Sequence, residues 1–287
     1  MTNGNEYEKR TTAWCPGCGN FAILDSVKES LEAMNKKPRE VLLIGGIGQA
    51  SKLPQYLSAN SLCTLHGRAL PAATGAKIGN TSLTVVAFCG DGDCYGEGGN
   101  HFIHAIRRNI DITVLVHNNQ VYGLTQGQAS PSSDMGFTTK VQPQGVRSTP
   151  LSGPALAVAL GCGFVARGFA GNKAQLISLI QEGIRHRGFS LIEVIQPCPS
   201  MNRHNTFGWY KERIRDLQSE WKHDSSNRTA AFERALLWGE TIPVGIFYRS
   251  EEGRTFESRI PILNNGPLVK RPLRRREVTE KLIEAFI

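Results

Sequence analysis

The stretch L-T-V-V-A-F-C-G-D-G-D, Leu83 to Asp93, and its counterpart I-T-V-L-V-H-N-N-Q-V-Y-G, Ile112 to Gly123, decide the fold. Each opens on an unbroken apolar run rich in β-branched residues and closes on turn chemistry. An apolar run without alternation suits a central parallel strand buried on both faces. The 25 residues between Gly92 and Asn118 suffice for one crossover helix and one strand, and Asn100 to Arg107 within them is amphipathic. Both turns therefore fall at the carboxyl ends of parallel strands, the edge where open α/β sheets bind ligands.

Working outward, Glu40 to Ile44 and Leu191 to Ile195 read as further buried strands. Ala22 to Met34, Leu70 to Ile78 and Lys173 to Ile184 read as helices between them. Alternating strand and helix predicts an α/β fold with a doubly wound, mostly parallel sheet. After Pro199 the texture changes: Trp209 to Asp224 is charged and reads as helical, Ala230 to Trp238 as a helix, Val244 to Tyr248 as a short strand. Residues 1–200 are therefore expected to form the α/β domain with a cysteine motif at its start. Residues 201–287 are expected to be an extension that wraps this body or packs on a partner, because so thin a segment builds little core of its own.

The 287 residues are 40% apolar and 20% charged, which supports a packed core and excludes a disordered chain. The formal charge of +8 favours anionic partners without choosing among them. The basic run Lys270 to Arg276 lacks interleaved aromatics, so no nucleic-acid partner is expected. The longest stretches free of Asp, Glu, Lys and Arg, Ile112 to Ser133 and Ser148 to Ala166, are interrupted by polar residues or by Gly and Pro. No membrane span is expected. The opening ten residues hold no apolar signal core, and seven cysteines are an odd number. Both point to a reducing compartment, the cytoplasm.

Asp91 offers a hard carboxylate, Asn119 a side-chain carbonyl and Val121 a backbone carbonyl, oxygens of the kind Mg²⁺ takes alongside phosphates and water. Gly90 and Gly92 would let the backbone approach a diphosphate without a Cβ in the way. The two motifs at this separation resemble the thiamine-diphosphate fingerprint. Four further segments make the resemblance specific: Gly90 to Pro131 as a whole, W-C-P-G-C-G-N (Trp14 to Asn20), H-G-R-A-L-P (His66 to Pro71) and Q-P-C-P-S (Gln196 to Ser200). Together they closely resemble the β subunit of 2-oxoacid:ferredoxin oxidoreductases over roughly residues 10–240. The form Y-G-L-T-Q-G-Q resembles the 2-oxoglutarate type.

The resemblance implies a larger α subunit as partner, with oxidative decarboxylation of a 2-oxoacid, 2-oxoglutarate giving succinyl-CoA and CO₂. Coenzyme A takes the acyl group and ferredoxin the electrons. It places thiamine diphosphate against Ile47, Gly48, Gln49, Ala50, His66, Gly90, Gly92, Asp93, Gly123 and Leu124, and Mg²⁺ on Asp91, Asn119 and Val121. Lys52 matches the position that pairs with the distal carboxylate of 2-oxoglutarate, and Leu124 one that lines the oxoacid pocket. It also implies a 4Fe-4S cluster on Cys15, Cys18, Cys198 and a cysteine in the loop after the first strand, where this chain carries Gln49. A carboxamide is a poor soft-metal ligand, so Cys63 is a second candidate for the fourth position. Cys15-Pro16-Gly17-Cys18 also resembles a thioredoxin-type redox pair, or, with Cys63 and His66, a structural zinc site. Cys89, Cys94 and Cys162 are expected to pack as small hydrophobes. A reading of another class stands beside these: a non-catalytic electron-transfer or zinc-stabilised regulatory subunit on the same fold.

Overall fold

A computed structural model describes residues 7–250, 253–271, 280–281 and 283–285. The strands in chain order are β1 (Val41–Gly45), β2 (Asn60–Cys63), β3 (Thr84–Gly90), β4 (Thr113–Asn118), β5 (Val121–Tyr122), β6 (Gln128–Ala129), β7 (Phe164–Phe169), β8 (Ser190–Ile195), β9 (Ile214–Asp216) and β10 (Ile242–Arg249). The helices are α1 (Asn20–Ala33), α2 (Ala69–Gly79), α3 (Gly99–Arg108), α4 (Gly153–Ala159), α5 (Lys173–Arg185), α6 (Phe207–Arg213) and α7 (Arg228–Ala235). Eight strands form one sheet in the order β2-β1-β3-β4-β8-β7-β10-β9. Every neighbouring pair is parallel except β7 and β10.

The unbroken apolar runs are the central strands: every residue of β4, β7 and β8 is buried. Burial on both faces requires two helical layers. One core holds Leu70 and Ala73 of α2, Phe102 and Ile106 of α3, Ala157 and Val158 of α4 and Ala231 of α7. The opposite core holds Ile23, Leu24, Val27 and Leu31 of α1 with Leu176, Leu179 and Ile180 of α5.

The chain leaves β1 toward β2 at the edge of the sheet, whereas it leaves β3 toward β4 in the middle. The connections thus diverge between β1 and β3, and a crevice opens there at the carboxyl ends of the strands. One element departs from the sequence reading. The charged segment Trp209 to Asp224 is not one helix. α6 stops at Arg213, Ile214 turns extended with φ −66° and ψ 134°, and β9 pairs with β10 through Ile214 and Ile242. Strand pairing overrides helix propensity there. The segment beyond residue 200 also adds β9 and β10 to the main sheet, β10 lying antiparallel against β7. Of the basic run, Pro272 to Arg276 lies outside the described residues.

Candidate active site

The crevice is lined by Ile47, Gly48, Gln49 and Ala50 after β1, His66 after β2, Gly90 to Asp93 after β3, and His117, Asn119 and Val121 to Thr125 at and after β4. Of the residues the sequence singles out, Lys52 alone among the thiamine and oxoacid contacts is missing from this lining. It is half-buried on the helical turn Ala50–Tyr56. Leu124 lies at the mouth, 42% exposed.

Asp91 directly follows β3 and is fully buried. Ser130 and Ser132 each donate to its Oδ2 at 2.5 Å, which leaves Oδ1 as the oxygen a cation would take. Burial raises its pKa to about 6, against the pull of the two serine hydroxyls, and nearby Glu193 adds to the rise. A bound cation reverses that logic and holds the carboxylate ionised.

Asn119 and Val121 are joined by a local turn. The Val121 amide donates to Asn119 Oδ1 at 3.1 Å. Between them Gln120 sits at φ +60°, a left-handed conformation rare for a residue with a Cβ. Its own polar groups hold it there: Nε2 donates to Ser132 O and to Asp134 Oδ1, both at 2.8 Å, Oε1 accepts from Tyr210 at 2.9 Å, and its amide donates to Asn118 Oδ1 at 3.2 Å. The motif singles out Asn119 but gives no sign that Gln120 is the residue that turns the chain.

Asp93 is the hub of the crevice. Oδ1 accepts from His66 Nδ1 at 2.6 Å, from the Gly67 amide at 2.7 Å and from the Ile47 amide at 3.2 Å; Oδ2 accepts from Ser51 Oγ at 3.2 Å. Its carboxylate thus faces protein donors and ties the loops after β1 and β2 to the one after β3. A Cβ on Gly46 would collide with Asp93 Oδ2. Residues Gly92–Glu97 form a single π-helical turn, closed by the Gly98 amide on Asp93 O at 2.9 Å.

Two glycines pass a test of fit for a diphosphate. A Cβ on Gly90 or on Gly48, the latter at φ +124°, would meet nothing within 4 Å, so the backbone there faces open space. Gly92 serves another purpose: a Cβ there would strike the Tyr122 ring. The donor set of Asp91 Oδ1, Asn119 and the Val121 carbonyl is all oxygen, as Mg²⁺ requires.

The cysteine motif lies behind Asn119. Asn119 Nδ2 donates to Gln196 Oε1 at 3.1 Å, and Gln196 Nε2 lies 3.4 Å from Cys18 Sγ. Burial, with smaller contributions from neighbouring Cys198 and Cys15, pushes the Cys18 thiol up to about 11. Trp14 Nε1 donates to Gln49 O at 2.9 Å, so the β1 loop meets this motif. Gln49 Oε1 is buried without a hydrogen-bond partner among the described residues. Cys63 lies at the end of β2, where Gln55 Nε2 donates to its Sγ at 2.9 Å, and His66 Nδ1 faces Asp93. No three His, Cys, Asp or Glu side chains among the described residues converge to hold a single metal ion. Cys89, Cys94 and Cys162 are buried.

The family described as "Thiamine pyrophosphate enzyme, C-terminal TPP binding domain" matches residues 46–194, which contain the whole crevice. The fold and the site are thus those of a thiamine-pyrophosphate enzyme. The family of the C-terminal part of the pyruvate ferredoxin oxidoreductase beta subunit matches residues 198–265. The chain is 42% identical over 258 residues to a 2-oxoacid:ferredoxin oxidoreductase subunit beta from Saccharolobus solfataricus, covering 86% of this chain and 85% of that one. It is 39% identical to the 2-oxoglutarate synthase subunit KorB of Methanothermobacter thermautotrophicus, over 79% of this chain and 78% of the relative. A solved 2-oxoglutarate:ferredoxin oxidoreductase from Magnetococcus marinus, with 2-oxoglutarate, coenzyme A and succinyl-CoA bound, superposes with a TM-score of 0.88 at 30% identity, covering 98% of this chain and 96% of that one. The chain belongs to the β subunits of the 2-oxoacid:ferredoxin oxidoreductases. It is one subunit of an oxidoreductase whose α subunit is its partner. Among the described residues, no helix is long and apolar enough to cross a membrane.

Proposed function

We propose that this subunit holds the diphosphate end of thiamine diphosphate through Mg²⁺ and, with its α subunit, oxidises 2-oxoglutarate to succinyl-CoA and CO₂, with electrons leaving to ferredoxin in the cytoplasm. The observation that carries the reading is the convergence, at the sheet's switch point, of Asp91, whose Oδ2 takes both serine hydroxyls, the Asn119–Val121 turn and the open backbone of Gly48 and Gly90. When bound, thiamine diphosphate supplies a carbon nucleophile and an electron sink for decarboxylation. The residues of this chain position it: Asp91, Asn119 and Val121 hold the metal, Asp93 fixes the loops that flank it, and His66 faces the cleft. The crevice encloses only about 80 Å³, well below the few hundred usual for a whole ligand site. This supports a site completed by the α subunit, with the chain beyond residue 200 packing against that partner.

Cys15, Cys18 and Cys198 supply three thiolates for a 4Fe-4S cluster, and Gln49 stands at the family's fourth position. Gln196 lies between Cys18 and Asn119, so a cluster on these cysteines would have a short route for single electrons to the metal site. Lys52 is assigned to the distal carboxylate of the substrate, with Leu124 at the pocket wall. The test is anaerobic assay of the purified α–β complex. Ferredoxin reduction should require 2-oxoglutarate, coenzyme A, thiamine diphosphate and Mg²⁺ together. A complex that binds no thiamine diphosphate and turns over no 2-oxoacid would instead be an electron-transfer or regulatory assembly.

A further inference from the structure

Behind the crevice lies a buried ion pair that the proposed chemistry does not use. Arg167 of β7 and Glu193 of β8 are 2% and 1% exposed, and Arg167 Nε donates to Glu193 Oε1 at 2.8 Å. The guanidinium is flanked by the rings of Trp238 and Phe247, each centred 5.2 Å from it. A pair this deep is weak evidence for stability, because desolvation offsets much of the attraction. Its geometry suggests another role.

Glu193 Oε2 accepts from Asn118 Nδ2 at 3.2 Å and from Tyr95 OH at 3.1 Å. An ionised carboxylate only accepts, so it fixes which end of the Asn118 amide faces it. Nδ2 must point to Glu193, and Oδ1 must point the other way. There Oδ1 meets two groups: the Gln120 amide at 3.2 Å and the Ser132 hydroxyl at 2.9 Å. The first holds the left-handed turn that presents Asn119 and Val121. The second is the hydroxyl of Ser132, whose one hydrogen is shared between Asn118 Oδ1 and Asp91 Oδ2. Both arms of the metal site thus meet at one oxygen of Asn118, whose orientation Glu193 sets. Arg167 Nε, donating to Oε1, holds the Glu193 carboxylate in this position.

We infer that Arg167 and Glu193 are positioning residues for the Mg²⁺–diphosphate site, acting through the Asn118 amide on Asp91 and on the Asn119–Val121 turn. The inference rests on the proposed metal site. An uncharged glutamine at 193 can present its own amide to Asn118 and let that side chain turn over. Asn118 would then offer a donor where the Gln120 amide needs an acceptor.

The experiment measures free Mn²⁺ by EPR during titration of the α–β complex in saturating thiamine diphosphate. Glu193→Gln should weaken Mn²⁺ about 10- to 100-fold, the range typical for groups that orient metal ligands. Arg167→Lys, which keeps the charge but not the planar fork, should lose less than Arg167→Met. Asn118→Ala should weaken Mn²⁺ with the ion pair intact, and Glu193→Gln should then add nothing to it. A merely structural pair would instead lower thermal stability in every variant, and its effect on Mn²⁺ would multiply with that of Asn118→Ala; that result overturns the inference. If Glu193→Gln does not assemble, Asn118→Ala decides alone, and unchanged Mn²⁺ affinity in it overturns the inference. A wild-type complex that binds no Mn²⁺ overturns this inference together with the metal site, whereas wild-type binding with unaltered variants overturns this inference alone.

Discussion

His66 Nδ1 donates to Asp93 Oδ1 at 2.6 Å, and this contact joins the loop after β2 to the one after β3 across the mouth of the crevice. The same oxygen also takes the Gly67 and Ile47 amides. The two carboxylates of the G-D-G-D motif therefore have different roles. Asp91 faces the crevice, and Asp93 gathers the loops.

Asp93→Asn should lower stability by about 1.5–3 kcal/mol, the usual range for hydrogen bonds to a charged group. An amide has one accepting oxygen for four donors, and its NH₂ would face donors in turn. Thiamine diphosphate should bind more weakly as the loops loosen. Denaturant titration and cofactor calorimetry on the complex check both; unaltered values for both would remove Asp93 from its hub.

His117 sits two residues before Asn119, fully buried, with Nδ1 donating to Asn20 Oδ1 at 2.7 Å. Burial lowers its pKa from 6.5 to about 3. The unfolded chain therefore binds a proton here that the folded chain refuses. Stability from this residue is complete above pH 6.5 and falls by about 1.4 kcal/mol per unit as the pH drops toward 3. Asp91, raised from 3.8 to about 6, has the opposite slope in its own window when no metal is bound. The difference between wild type and His117→Gln cancels Asp91. Urea midpoints from pH 4 to 7 should show the variant lacking part of the acid-side loss; parallel curves would place the His117 proton in the folded state.

Lys52→Met should raise KM for 2-oxoglutarate about 10- to 150-fold and leave pyruvate nearly unchanged. That is one charge-assisted bond, about 1.5–3 kcal/mol. Because Lys52 does not line the crevice of this chain, the assay uses the complex with its α subunit. Equal effects on both substrates would place the lysine outside the pocket.

For the proposed cluster on Cys15, Cys18 and Cys198, Gln49→Cys should slow the bleaching of its absorbance in air, because a fourth thiolate would secure the iron that three would leave exposed. Cys63→Ser should change nothing, since that thiol is engaged by Gln55 at the end of β2. Iron per protein and bleaching rate decide it. Loss of iron in Cys63→Ser would make Cys63 the fourth ligand.

Much of this was legible in the sequence because burial on both faces of a parallel sheet leaves unbroken apolar runs. β1, β3, β4 and β8 announce themselves in that way, and their turn motifs end on the crevice. β7 does not, because its run carries Arg167 and Gly168; the arginine is buried only by virtue of Glu193 on the neighbouring strand. β2 lies at the sheet edge with all four residues exposed, so it has no apolar signature. β9 exists only because β10 offers it a partner. In the site, Asp91, Asn119 and the glycines carry motif signals, whereas Ser130, Ser132, Gln120 and Gln196 act through contacts that local patterning does not encode.

Asp91, Asn119 and Val121 are proposed to carry the divalent cation that holds thiamine diphosphate. The most direct test of this assignment is calorimetric titration of the apo α–β complex with thiamine diphosphate, with and without Mg²⁺, for wild type and Asp91→Ala. The wild-type complex should bind one thiamine diphosphate per β subunit, and only with Mg²⁺; Asp91→Ala should lose the Mg²⁺ dependence together with most of the affinity. Equal affinity in the two proteins, or binding indifferent to Mg²⁺ in the wild type, would contradict the assignment.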